Sequence, residues 1–74
     1  MKITVHLFAT FRNGRFKQQE KDYSEGTTFR QVVADVGLRE EDLGMGLVNG
    51  IHASMEQVLQ EGDSLSLFPL LAGG

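Results

Sequence analysis

Ser64-Leu65-Ser66-Leu67-Phe68 alternates along its length, and the alternation stops at Pro69. Period two marks a strand with one buried face, here the face of Leu65 and Leu67. Proline fixes φ and lacks an N–H, so Pro69 is expected to end the sheet pairing and aim the chain away from the body. Leu70-Leu71-Ala72-Gly73-Gly74 follows, an apolar arm with no side-chain bulk on its last two residues. Residues 70–74 are expected to form a flexible tail. Glycine has no Cβ, so Gly73 and Gly74 can thread a narrow channel and present an unhindered carbonyl. A main-chain carboxylate on Gly74 would be ionised at neutral pH and a poor electrophile. It must be activated, as an acyl-adenylate or a thioester, before a nucleophile can attack. Mobile ends also tolerate glycine without any function, so the rest of the chain has to decide.

Seventy-four residues are expected to make one domain, 1–74. A chain this short buries only about 60% of its unfolded surface, so nearly every large aliphatic is needed in the core. There is no cysteine, which removes disulfides, thiolate nucleophiles and the usual structural zinc sites and fits a cytoplasmic setting. No apolar run approaches the ~20 residues of a membrane span, and no signal-peptide pattern opens the chain. A net charge of −3 argues against nucleic acid, whose binders usually carry a basic patch. It leaves open a basic docking groove on a protein partner.

Lys2 to Ala9 alternates, with Ile3, Val5, Leu7 and Ala9 on one face and Lys2, Thr4, His6 and Phe8 on the other. Asn13-Gly14 is a hairpin signal, and Arg15 to Tyr23 reads as a polar returning edge strand. A literal two-residue turn would set Glu20 opposite Leu7, so a bulge or longer loop is expected to shift the register. Thr28 with Gln31 forms a capping box, and Phe29, Val32, Val33 and Val36 make a helical stripe. The spacing predicts a helix over about 29–36, ended by Gly37 with Leu38 as its hydrophobic contact. Arg39–Leu43 is charged and has room for one helical turn. Met45–Val48, Asn49-Gly50 and Ile51–Ala53 read as a second hairpin. Ser54–Gln57 reads as a weak cap, and Glu61-Gly62-Asp63 as a tight turn before the last strand.

Hairpin, helix, short strands, final strand: this order allows the first and last strands to lie side by side. The fold expected is α+β, a mixed four- to five-stranded sheet covered by one main helix, the β-grasp or ubiquitin-like arrangement. Leu65 and Leu67 are expected to lie buried beside Ile3 and Val5.

Leu7-Phe8-Ala9 with Arg12, Val48-Asn49-Gly50, and Gly62-Asp63 through Phe68-Pro69 to Gly73-Gly74 resemble the MoaD/ThiS family of sulfur carriers. The match covers essentially the whole chain, and the terminal Gly-Gly after a Gly-Asp turn and strand is its most specific part. The resemblance implies a protein cosubstrate rather than an enzyme. An ATP-dependent adenylating enzyme, related to ubiquitin-activating enzymes, would adenylate Gly74, and the product would become a thiocarboxylate. The large subunit of a synthase would then take the sulfur. The chain would bind no cofactor itself; the ATP belongs to the activating enzyme. Phe68-Pro69 and Leu7-Phe8-Ala9 resemble the molybdopterin-synthase small subunit, which favours molybdopterin or tungstopterin biosynthesis. That branch usually has a second proline where Leu70 stands. Leu70-Leu71-Ala72 leans instead toward the carrier for the thiazole of thiamine, and a ubiquitin-like modifier conjugated through Gly74 needs the same tail. A β-grasp binding module whose glycines carry no chemistry is the remaining class. The chain alone is expected to be a monomer.

His6 and His52 are the only histidines, and two ligands fall short of a zinc set, so no metal site is expected. Glu40-Glu41-Asp42 reads as a solvated face. Ser64 and Ser66 alternate with core leucines, and the sequence suggests no histidine–acid pairing for either. Gly14, Gly50 and Gly62 read as turn glycines. Phe8 and Phe68 fall on the outward faces of strands the fold would place together. With Pro69, Leu70 and Leu71 they would form a contiguous apolar patch of the kind that marks partner surfaces.

Overall fold

The alternation of Ile3, Val5 and Leu7 with polar residues produces β1 (Lys2–Leu7), and that of Leu65 and Leu67 produces β5 (Ser64–Pro69). In the computed structural model, which describes residues 1–70, the two strands are parallel neighbours, with Val5 opposite Leu65 and Leu7 opposite Leu67. The remaining strands are β2 (Gln18–Asp22), β3 (Leu43–Val48) and β4 (Ile51–His52), and the sheet order is β2-β1-β5-β3-β4. Every pairing except β1–β5 is antiparallel. This mixed five-stranded sheet under one helix is the β-grasp arrangement.

Helix α1 (Phe29–Asp35) carries both termination signals read in the sequence. The Thr28 hydroxyl accepts from the Gln31 amide while the Gln31 side chain accepts from the Thr28 amide. At the other end Gly37 adopts φ +82°, its N–H donates to Ala34 O, and the Leu38 N–H donates to Val33 O. These two bonds are a Schellman motif. The helix lays Phe29, Val32 and Val33 onto the inner face of the sheet, where Ile3, Val5, Leu7, Leu65 and Leu67 are fully buried. The Phe29 ring reaches the sheet because residue 46 is glycine; a Cβ there would overlap it.

The first connection departs from the expected hairpin. Strand β1 stops at Leu7, and Ala9, at φ +51°, turns the chain into a 3-10 turn over Ala9–Arg12. Asn13 has φ −65° and only Gly14 is left-handed, so Asn13-Gly14 does not form the two-residue turn. Burial of Phe11 draws residues 8–17 into a longer loop, closed by the Leu7 N–H donating to Lys17 O. Strand β2 is accordingly shorter than Arg15–Tyr23, and Glu20 pairs with Thr4 rather than Leu7. Arg15, read as part of that strand, instead donates to Val36 O and Gly37 O at 3.0 and 2.7 Å, capping the C-terminus of α1.

Asn49-Gly50 behaves as read, with φ +52° and +81° joining β3 to β4. The 54–57 segment is a turn rather than a helix cap, with the Gln57 N–H donating to Ser54 O. Leu59 then enters the core, and Gly62 at φ +85° completes the turn into β5. No helix among the described residues is long and apolar enough to cross a membrane.

Leu67 sits at the centre of this packing, fully buried between the central strands and α1. Leu67→Ala is expected to cost about 2–5 kcal/mol, read as a fall in the denaturant midpoint at unchanged slope. A loss below about 0.5 kcal/mol, the ordinary range for surface sites, would contradict the assignment of the inner face.

Candidate functional site

The parallel pairing of β1 and β5 brings their C-terminal ends to the same edge of the molecule. Phe8, one residue beyond β1, donates its N–H to Leu67 O at 3.2 Å. Its ring stacks on Phe68 with centroids 4.2 Å apart and planes 10° apart. Both rings are half-exposed on the face of the sheet opposite α1. The Arg12 guanidinium lies 5.3 Å from the Phe8 centroid, within cation–π range, while its Nε donates to Leu7 O at 2.7 Å. The 3-10 turn thus returns a cation over the aromatic pair.

Strand β3 adds what the sequence reading missed. Met45 pairs with Phe68, and alternation with buried Gly46 and Val48 puts it on the same outer face. The signal was available in the parity of Met45–Val48, but it could be used only once β3 was known to lie beside β5. Ala9, Gly44, Met45, Phe68, Pro69 and Leu70 line an apolar groove of about 410 Å³. Leu70 is 57% exposed.

Pro69 does not end the pairing. It remains opposite Leu43, and the Leu70 N–H donates to Asp42 O at 2.9 Å. A one-residue shift in β3 between Leu43 and Met45 absorbs the missing proline donor, which is where a strand proline is tolerated. Leu71, Gly73 and Gly74, singled out with the rest of the tail, lie outside the described residues.

Of the other residues weighed, His6 Nε2 lies 3.1 Å from Ser64 Oγ, a pairing the sequence reading had not anticipated. It follows from parallel neighbours carrying side chains on one face. The described carboxylates supply His6 with no hydrogen-bond partner, so the pair lacks the third group of a nucleophilic triad. Among the described residues there is no cluster of three metal-ligating side chains.

The acidic run beside the strand end is solvated and paired. Arg39 forks onto Asp42 at 3.0 and 3.2 Å and Arg30 onto Glu40 at 2.8 and 3.3 Å; each hydrogen bond holds its carboxyl below the usual range. Asp35 is lowered by the Tyr23 hydroxyl and then by Lys21. Burial, reinforced by Asp35, pushes the Tyr23 hydroxyl above the ordinary tyrosine range. Carboxyls lowered in the folded state contribute stability above their unfolded pKa, about 4, and lose it as pH falls toward the folded value. The melting temperature is therefore expected to fall as pH drops through and below that range. Asp35→Asn, Glu40→Gln and Asp42→Asn together should flatten the acid limb, and only slightly, because exposed pairs contribute little.

Residues 5–74 match the ThiS family. No curated protein matches in sequence. Among solved structures, a Pyrococcus furiosus protein described as molybdopterin converting factor subunit 1 is 27% identical with TM-score 0.78, over 93% of this chain and 97% of that one. SAMP1 from Haloferax volcanii is 22% identical with TM-score 0.78 over the full length of both chains. In the complex of subunits 1 and 2 of the Helicobacter pylori molybdopterin-converting factor, a chain 21% identical matches with TM-score 0.64 over the full length of both. At those last two identities the likeness is one of fold. The match over 5–74 and the shared β-grasp lead to one conclusion: the chain belongs to the ThiS family of ubiquitin-like sulfur carriers.

Proposed function

We propose that this chain carries sulfur on Gly74 for molybdopterin or tungstopterin biosynthesis. In this reading an ATP-dependent activating enzyme adenylates the Gly74 carboxylate: a carboxylate oxygen attacks the α-phosphorus of ATP and pyrophosphate leaves. Hydrosulfide then attacks the acyl carbon, forming the C–S bond, expelling AMP and leaving Gly74 as a thiocarboxylate, from which a synthase large subunit takes the sulfur. The chain contributes docking and one acyl carbon. The observation that carries the reading is the Phe8–Phe68 stack, half-exposed at the end of the strand that leads to Gly73 and Gly74. An apolar, aromatic surface there suits enzymes that must hold the body while they work on the tail. Family membership supports the carrier role. The P. furiosus match supports the molybdopterin branch over the thiazole one, and the H. pylori pair is the analogy for a large-subunit partner. The setting proposed is cytoplasmic, with the free chain a monomer.

A modifier would use the same acyl-adenylate but pass it to a lysine amine. Intact mass of the chain from its native host separates the two, as sulfur-for-oxygen exchange on the free chain or a Gly-Gly remnant on target lysines. Gly74 itself is tested by deletion. Removing it leaves Gly73 as an equivalent carboxylate about 3.5 Å short, and reacting atoms must come within about 3–3.5 Å. ATP–pyrophosphate exchange is expected to stop at unchanged melting temperature. Gly73→Ala, which adds one methyl in the channel, should slow exchange without abolishing it. Normal adenylation and sulfur loading of the shortened chain would exclude the sulfur-carrier reading.

Docking is tested at Phe68. Phe68→Ser is expected to weaken binding to the activating enzyme and to the synthase by about 1–3 kcal/mol, the range of an interface hot spot, with the fold retained. Calorimetric titrations giving equal affinities for mutant and parent would remove the aromatic pair from the mechanism.

A further inference from the structure

The strand end that feeds the tail is held by backbone contacts that only glycine permits. In β3 the pairing Met45–Phe68, Gly46–Leu67 would, continued regularly, set Gly44 opposite Pro69. Instead Leu43 is opposite Pro69 and Gly44 is the extra, unpaired residue. This bulge serves two ends. It places the residue without a donor, Pro69, where the ladder is already interrupted. It also brings the next donor, Leu70 N–H, to Asp42 O at 2.9 Å. The acceptor is fixed in turn: Asp42 N–H donates to Arg39 O at 3.0 Å, and the Arg39 guanidinium grips its carboxylate.

Gly44 leaves no room for a side chain. A Cβ there would lie 2.7 Å from the Pro69 carbonyl oxygen and 2.9 Å from both Leu70 N and Leu70 Cα. All three are backbone atoms, so no side chain can swing aside; the strand end itself must move. Gly46, two residues along the same strand, is different: the atoms nearest a Cβ there are side-chain atoms, the Phe29 ring in the core and Leu43 Cδ2 at 3.4 Å, where those at Gly44 are backbone atoms of the strand end.

We propose that Gly44 is a positioning residue, whose missing Cβ lets β3 latch the chain through Leu70 and so fixes where the reactive tail starts. The inference rests on the reading that Gly74 is the group activated. With the latch closed, residues 71–74 carry the chain from Leu70 to the Gly74 carboxylate of that reading, a span of at most about 14 Å. That length starts beside the Phe8–Phe68 docking face, so with the body seated there the latch sets the reach of the carboxylate. Opening the latch moves the starting point back toward Phe68. The tail becomes longer and its origin undefined, and the carboxylate spends less time in attack geometry.

The test combines amide exchange with adenylation kinetics on the full chain and its activating enzyme. Gly44→Ala is expected to raise exchange at the Leu70 amide by tenfold or more. In ATP–pyrophosphate exchange, kcat should fall about ten- to a hundredfold, while KM for the carrier stays within about twofold because Phe8 and Phe68 are untouched. Gly46→Ala, whose Cβ meets side chains rather than the strand-end backbone, should lower the melting temperature without that fall in kcat. A semisynthetic chain with an ester in place of the Leu70 amide removes the single N–H donor and keeps every side chain; its kcat should fall as well. A parent that is activated alongside a Gly44→Ala variant and an ester chain of normal kcat overturns the positioning role and leaves Gly74 in place. Equal kcat losses in Gly44→Ala and Gly46→Ala overturn it too, by assigning the effect to stability. A parent that is not itself activated overturns the Gly74 reading, and the role of Gly44 with it.

Discussion

The parallel contact between β1 and β5 is the interaction on which the rest of this molecule depends. It joins the two ends of the described chain in the middle of the sheet, and the opposed pairs Val5–Leu65 and Leu7–Leu67 form the floor on which α1 packs. Parallel neighbours cannot be joined by a short turn, so everything between residues 7 and 64 serves as one long crossover. The helix lies within it and covers the inner face. The outer face is left open, and the same register that buries four aliphatics on one side stacks Phe8 on Phe68 on the other.

Around this centre the edges are managed in different ways. Strand β2 is polar, with Lys21 and Lys2 tied to Asp35 and Asp22, which suits an edge that must not recruit other strands. On the opposite side β4 is only two residues long, and the chain leaves it to bridge the start of α1 through Thr28 and Val58. Arg15 ties the first loop to the carbonyls at the end of the helix, and Arg30 joins the acidic turn to the 54–59 segment through Glu40 and Glu56. These charged contacts tie down segments that each send one large side chain, Phe11 or Leu59, into the core. For the Arg30 pairs that role is one of geometry more than energy, since exposed ion pairs contribute little to stability.

The candidate site divides its work between faces and ends. Aromatic surface and the Arg12 cation lie on the outer face, where a partner can reach them. The Gly44 bulge and the Leu70–Asp42 bond lie at the strand end, at the last of the described residues. Proline 69 stands between the two, and its missing donor is accommodated by the bulge.

Local chemistry by itself determined the elements that have local causes. The Thr28–Gln31 box, the Gly37–Leu38 stop and the Asn49-Gly50 turn are bonded within a few residues of themselves, and the alternation of Ile3 with Val5 and of Leu65 with Leu67 is a local pattern even though its packing is not, so each survives reading one segment at a time. The parity of Phe8 and Phe68 was legible for the same reason. Only the tertiary structure decided the rest. Asn13-Gly14 lost its hairpin because burying Phe11 outweighed a local turn preference; Arg15 became a cap because the helix end came within its reach; Met45 joined the outer aromatic face because β3 paired with β5. Gly44 and Pro69 show the limit most clearly. Neither residue signals a latch alone; the latch exists because a missing side chain on one strand meets a missing donor on another, and the two are joined only by the fold.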